Sequence, residues 1–165
     1  MRRTSGIGGI IACAALVLAC DSSTDANISY AATMTGAKER PNQVTSNGTG
    51  AFSATLDANN VLTYSFNWSG LNSNATLSHI HGPATTELAA SVLVDFNAAS
   101  AGRIITLGAP SGTASGTIDL KVAAANNAAV SGDSLHKLLD LGLLYVNIHS
   151  TTSGSGEIRG QITRQ

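Results

Sequence analysis

Leu62-Thr63-Tyr64-Ser65-Phe66-Asn67-Trp68 decides the fold class. Large apolar residues alternate with small polar ones, which puts Leu62, Tyr64, Phe66 and Trp68 on one face of a β-strand and Thr63, Ser65 and Asn67 on the other. A helix would scatter the same four large side chains around its circumference. Just upstream, Phe52, Ala54 and Leu56 repeat the period, and Asp57-Ala58-Asn59-Asn60 lies between the two runs. Asp and Asn bond their own backbone and tolerate the left-handed region, so this tetrapeptide reads as a turn and the two runs as a hairpin. The apolar faces of that hairpin form one wall of a core.

Outward from the hairpin the same period recurs. Ile28, Tyr30, Ala32 and Met34 share one face of a half-buried strand that Gly36 ends, and Lys38-Glu39-Arg40-Pro41-Asn42 is a charged, Pro-broken loop. Downstream, Ser69 to Asn74 leads into a strand from Ala75 to His81. There His79 and His81 share a face with Leu77, Ser78 and Ile80 take the other, and Gly82-Pro83 stops the run. Leu88 to Phe96 is apolar almost throughout, with a strand expected at Leu93-Val94-Asp95-Phe96. Gly102 to Leu107 is a short strand candidate, and Thr113 to Val122 alternates again.

Ser131 or Asp133 caps a short helix with Leu135, Leu138 and Leu139 on its inner face and Gly142 at its close. Leu144, Val146 and Ile148 then alternate with Tyr145, Asn147 and His149. A last strand runs from Gly156 to Thr163, with Ile158 and Ile162 inward and Glu157, Arg159 and Gln161 on the opposite face. Seven to nine short strands with turn residues between them predict an all-β domain, a Greek-key β-sandwich or barrel with one short helix.

The first residues are not part of that fold. Arg2 and Arg3 form a basic start, Ile7 to Leu18 an apolar run, and Val17-Leu18-Ala19-Cys20 the close of a secretory signal too short to span a bilayer. The close resembles the bacterial lipoprotein signal, in which the cysteine after a small residue takes the lipid. The expected organisation is a signal peptide over 1–19, a lipidated Cys20 with a small polar tether over 20–27, and one domain over 28–165. Cys13 falls within the signal, so the mature domain has no thiol and is held by its core and sheet. The implied location is the cell envelope, outside the cytoplasm, with the membrane reached through the lipid on Cys20. Removing Arg2 and Arg3 takes the net charge from −1 to −3 and leaves no basic cluster, which excludes a nucleic-acid partner.

Two separated blocks carry a family resemblance. Leu77-Ser78-His79-Ile80-His81-Gly82-Pro83-Ala84, with Leu144-Tyr145-Val146-Asn147-Ile148-His149-Ser150 and Gly156-Glu157-Ile158-Arg159-Gly160-Gln161-Ile162, resembles the CHRD domain, named from chordin and widespread in bacterial secreted proteins. Thr35-Gly36-Ala37-Lys38-Glu39-Arg40-Pro41 and Gly48-Thr49-Gly50-Ala51 are similar to its opening strands. The resemblance spans Ser29 to Thr163 and implies an extracytoplasmic β-domain; it brings no established activity. Arg40 departs from the small apolar residue more usual in the family.

Three of the four histidines lie in these blocks. His79 and His81 stand two residues apart on one strand, about 7 Å between Cα atoms, so both imidazoles can reach one ion. His149 supplies a third ligand if its strand lies alongside, and three imidazoles suit copper or zinc. A remoter resemblance is to the copper-zinc superoxide dismutase-like fold, where a His-x-His strand and a later histidine hold copper and an arginine near the C-terminus, here Arg159, guides the anion. The further zinc ligands of those enzymes have no counterpart here. Glu157 and Arg159 read as a solvated pair contributing about 0 to 1 kcal/mol, and His136, beside Lys137 on the helix, as solvent-exposed.

No catalytic residues emerge. There is no Gly-x-Ser-x-Gly elbow, no phosphate-binding glycine loop and no mature cysteine nucleophile, and the acidic residues are scattered. The first functional reading is therefore a lipid-anchored binding or structural module that meets an envelope or extracellular protein. The second, of a different class, is a copper- or zinc-binding protein using His79, His81 and His149, with weak redox activity.

Overall fold

The computed structural model describes residues 27–97, 104–123 and 130–165. The signal segment, Cys20, the tether up to residue 26, and Gly102 and Arg103 of one strand candidate lie outside the described residues. Among the described residues, ten strands form one continuous antiparallel sheet. Strands β1 (Ile28–Thr35), β2 (Thr49–Leu56) and β3 (Val61–Ser69) are a meander, continued sideways by β7 (Gly112–Asp119) and β6 (Ile104–Ile105). The other wing holds β4 (Ala75–His81), β5 (Val92–Asp95), β8 (Tyr145–Ser150) and β9 (Ile158–Gln161), in the order β5-β4-β8-β9, and β9 joins it to β1. The short β10 (Thr163–Arg164) also pairs with β1.

The connections from β3 to β4, from β5 to β6 and from β7 to β8 each pass from one wing to the other. The sheet curls into a half-barrel whose ends meet. Phe96, just past β5, packs on Tyr64 and Phe66 of β3 with ring centroids 4.8 and 4.9 Å apart. Backbone bonds from Ala75 N–H to the Ala109 carbonyl and from Gly108 N–H to the Ala75 carbonyl, 3.0 and 2.9 Å, close the seam. The all-β class is as expected.

The core is built from the predicted faces. Tyr30, Ala32 and Met34 of β1, Phe52, Ala54 and Leu56 of β2, and Leu62, Tyr64, Phe66 and Trp68 of β3 are all buried. The hairpin turn forms as its chemistry requires: the Asp57 carboxylate accepts from the Asn59 and Val61 N–H groups, at 2.9 and 2.8 Å, and Asn60 takes a φ of 64°.

The expected helix is α2 (Gly132–Asp140), capped by Ser131, whose hydroxyl accepts from the Ser134 N–H. Leu135 and Leu139 enter the core, Leu138 packs beside them, and Gly142 follows with a φ of 64°. The Tyr30 hydroxyl donates to Asp140 at 2.7 Å and ties this helix to β1.

The strand expected at Leu93-Val94-Asp95-Phe96 forms, one residue earlier, as β5, and the apolar stretch before it is not strand, with Leu88 60% exposed. One strand expectation is corrected. The run ending at Val122 leaves the sheet after Asp119, where the chain turns into α1 (Leu120–Ala123). The Asp119 side chain accepts from the Lys121 N–H at 2.9 Å, the kind of local bond that starts a helix. Leu120 stays buried while Val122 is 65% exposed.

Candidate functional site

The site is the outer face of the β4-β8-β9 wing. In the antiparallel register His79 lies opposite Asn147, His81 opposite Tyr145 and Leu77 opposite His149. Across β8 and β9, Asn147 lies opposite Arg159 and Tyr145 opposite Gln161. Opposed residues share a face, so one row carries His79, His81, Tyr145, Asn147, His149, Arg159 and Gln161. Ile80, Val146, Ile148 and Ile158 point the other way, into the core. Such an outer face would ordinarily be wet. Here loops cover it: every residue of β8 is buried, and His79, His81 and His149 retain 8%, 8% and 7% exposure.

Each imidazole is fixed by its own contacts. His81 Nδ1 lies 2.9 Å from the Ala90 carbonyl and His149 Nδ1 3.0 Å from the Gly154 carbonyl. A carbonyl can only accept, so His149 Nδ1 carries the proton in the neutral ring and its Nε2 presents a lone pair. His81 faces an acceptor at each nitrogen, the Ala90 carbonyl at Nδ1 and Asn147 Oδ1 at Nε2, so its neutral ring donates to only one of the two. His149 Nε2 is 3.0 Å from His79 Nδ1, and His79 Nε2 is 3.7 Å from an Asp95 carboxylate oxygen. One nitrogen from each ring can be chosen so that all three lie within 4.8 Å of one another.

Burial and the two neighbouring imidazoles lower the His79 pKa to about 4 against the pull of Asp95. Burial lowers that of His81 as well. Both rings are therefore neutral at ordinary pH, the form that donates a lone pair to a metal.

Beside the histidines runs a stacked column. The Tyr145 ring lies parallel to His81 at 4.9 Å, and the Arg159 guanidinium sits 3.5 Å from the Tyr145 ring centroid. Arg159 Nη2 donates to the Thr85 carbonyl at 2.9 Å and to Gln161 Oε1 at 3.4 Å. Its Nη1 is buried and has no partner.

Asn147 links this column to a buried acid, since its Oδ1 is 3.1 Å from His81 Nε2 and its amide is a hydrogen-bond partner of Glu39. Glu39, from the turn after β1, is only 3% exposed. Burial pushes its pKa up to about 7 against the opposing charge of Arg159 and hydrogen bonds from the Arg40 backbone and Asn147. Gly156, with a φ of 127°, leaves the room: a Cβ there would stand 2.6 Å from Glu39 Oε1 and 2.8 Å from Asn147 Nδ2.

Compared with known families, the chain matches the CHRD domain over residues 30–162. The chain belongs to the CHRD family. No curated protein and no solved structure gives a match. The CHRD domain brings His79, His81 and His149 together as the strand reading required.

The CHRD domain does not hold Glu157 and Arg159 as a solvated pair, which corrects that reading. Both are buried, at 0% and 1% exposure, and each has its own partners. Glu157 accepts from the Ser46 hydroxyl and the Asn72 N–H, both at 2.6 Å, and from the Ser150 hydroxyl. It is the pin that fastens two loops and the end of β8 to the residue before β9.

His136 is also corrected: it is half-buried on α2, with Nδ1 3.0 Å from Asn60 Oδ1 and Nε2 3.5 Å from Asp140. Glu39, Tyr145 and Asn147 were missed as site residues. For Tyr145 and Asn147 the strand alternation that put them on the histidine face was the available signal. Glu39 sits in a charged loop and had none.

Proposed function

Membership of the CHRD family supports a binding or structural module, and we propose that this one binds a transition-metal ion, copper or zinc, through His79, His81 and His149. The convergence of three buried ring nitrogens within 4.8 Å carries the reading. Ligand nitrogens of a tetrahedral ion at about 2.0–2.1 Å from the metal stand roughly 3.3 Å apart. The His79–His149 pair, now joined by a hydrogen bond, is at 3.0 Å, close to that separation.

The donor chemistry fits. Three imidazoles without thiolate suit copper or zinc over the softer sites built on cysteine. Carbonyls behind the Nδ1 atoms of His81 and His149 supply the outer contacts that orient ligating histidines.

The test is elemental analysis of the untagged full chain together with copper and zinc titrations. Near one equivalent per chain is expected. At a free metal concentration about 100 times Kd the native state gains about 2.7 kcal/mol, visible as a higher Tm. His149→Ala should lose both the metal and the shift. No retained metal and an unchanged Tm in the wild type would leave the imidazoles as a hydrogen-bonded structural cluster.

The module is also proposed to work at the cell envelope, outside the cytoplasm, held to the membrane through a lipid on Cys20. The support is the basic start and the apolar run that closes on Leu18-Ala19-Cys20. Cys20→Ser should move the protein from the membrane fraction to the soluble fraction. A variant that stayed with the membrane would refute the anchor.

A further inference from the structure

A cavity of about 190 Å³ opens beside the site, lined by Lys38, Arg40, Thr86, Arg159 and Gln161. It is formed where the Gly36–Lys38 turn and Arg40 meet β9 and the segment after β4. Its lining is cationic, although the chain as a whole carries a net charge of −1. Arg159 is 1% exposed, and its Nη1 has no hydrogen-bond partner.

A buried guanidinium with an idle donor is costly unless something accepts from it. The acids nearby do not neutralise the group. Glu87 is 72% exposed in its side chain and already pairs with Arg40 at 3.2 Å. Glu39, raised to about 7, is only partly ionised at neutral pH. Three cations thus face one exposed carboxylate and one partly protonated one. The surplus is between one and two positive charges.

We propose that this cavity is a binding site for a small carboxylate, independent of the metal. Two observations specify the class among anions of the charge that this surplus accepts. The volume accepts a group of a few heavy atoms and not a polymer. The cationic donors on the cavity wall, the Arg159 guanidinium and the protons of Lys38 Nζ beyond the one given to the Thr33 carbonyl at 2.6 Å, suit one planar acceptor.

The carboxylate can come as a free small acid or as the end of a peptide chain. The occupant inferred is the carboxylate group itself, and the probes separate its sources.

The experiment uses the metal-free full chain, dialysed against buffer of constant ionic strength, with binding followed by calorimetry and Tm. The probes are sodium acetate, a short alanine peptide with a free C-terminus and its amidated form, with sodium chloride and inorganic phosphate as controls. Saturable binding of acetate beyond chloride is expected. Binding of the free peptide but not its amide, at higher affinity than acetate, would assign the site to a chain end; acetate binding as tightly as the peptide would assign it to a free acid.

Lys38→Gln, at an exposed position that leaves the core untouched, should weaken the interaction by about tenfold, equivalent to about 1.4 kcal/mol. Arg159→Gln should abolish it. The proposal is overturned if acetate acts no differently from chloride, if phosphate binds as well as the carboxylates, or if Lys38→Gln binds acetate like the wild type. Metal uptake measured on the same preparations separates this result from the fate of the histidine site.

Discussion

Glu39 shows how far burial can change a residue's behaviour at the surface of a small β-domain. A carboxyl with 3% exposure gains from Arg159 and Asn147 but loses more from leaving water, so its pKa rises to about 7. The folded state therefore holds a proton that the unfolded chain, at about 4.5, releases. Stability is full below about 4.5 and falls as pH climbs towards 7, above which the loss is constant. A shift of this size corresponds to on the order of 3 kcal/mol.

Glu39→Gln keeps the shape and removes the titration. The variant should match the wild type near pH 4.5 and exceed it at pH 8 by up to about 3 kcal/mol. Urea unfolding midpoints at the two pH values check this. An equal gap at both would show that Glu39 does not titrate in this window. His79 titrates in both proteins and cancels in the comparison.

At the scale of elements, the parts most legible in the sequence are those with one wet and one dry face. The β2–β3 hairpin shows the period of two, its turn carries Asp57 and Asn60, and the buried residues are the ones the alternation names. The β4–β8 neighbourhood was also legible in part. Once His79, His81 and His149 are placed on strands, one antiparallel pairing brings them together.

What the sequence hid are the elements covered on both sides. On β8 the polar row of Tyr145, Asn147 and His149 is as buried as the apolar row. Alternation alone cannot say that loops will fold over the polar row. For the same reason Glu157 and Arg159 look like a surface pair and are two separate buried groups. Helix α1 was hidden because a strand-like alternation continued through Val122, while a side-chain bond from Asp119 to the Lys121 backbone turned the chain.

For the whole molecule, the two wings are not separable. Among the described strands four connections cross between them, the last from β9 to β10, and the β9–β1 ladder includes the pair Thr35 and Arg159. Beyond that pair Gly160 lies so close to β1 that a Cβ would stand 2.6 Å from the Thr33 carbonyl oxygen. Phe96 performs the matching task at the opposite seam. It is 1% exposed, follows the outermost strand of one wing and packs on Tyr64 and Phe66 of the other, so its ring fills the space between them.

Truncating it leaves a cavity that neither wing can close without moving the other. Phe96→Ala should cost about 3–5 kcal/mol, a large share of the 5–15 kcal/mol typical of a domain, and lower Tm by roughly 10 °C or more. Trp68 fluorescence, which reports on β3, and far-UV circular dichroism, which reports on the whole sheet, should still give coincident unfolding curves in the variant. Fluorescence lost before the sheet signal would show that the wings unfold as separate units, and that the seam at Phe96 does not join them into one cooperative fold.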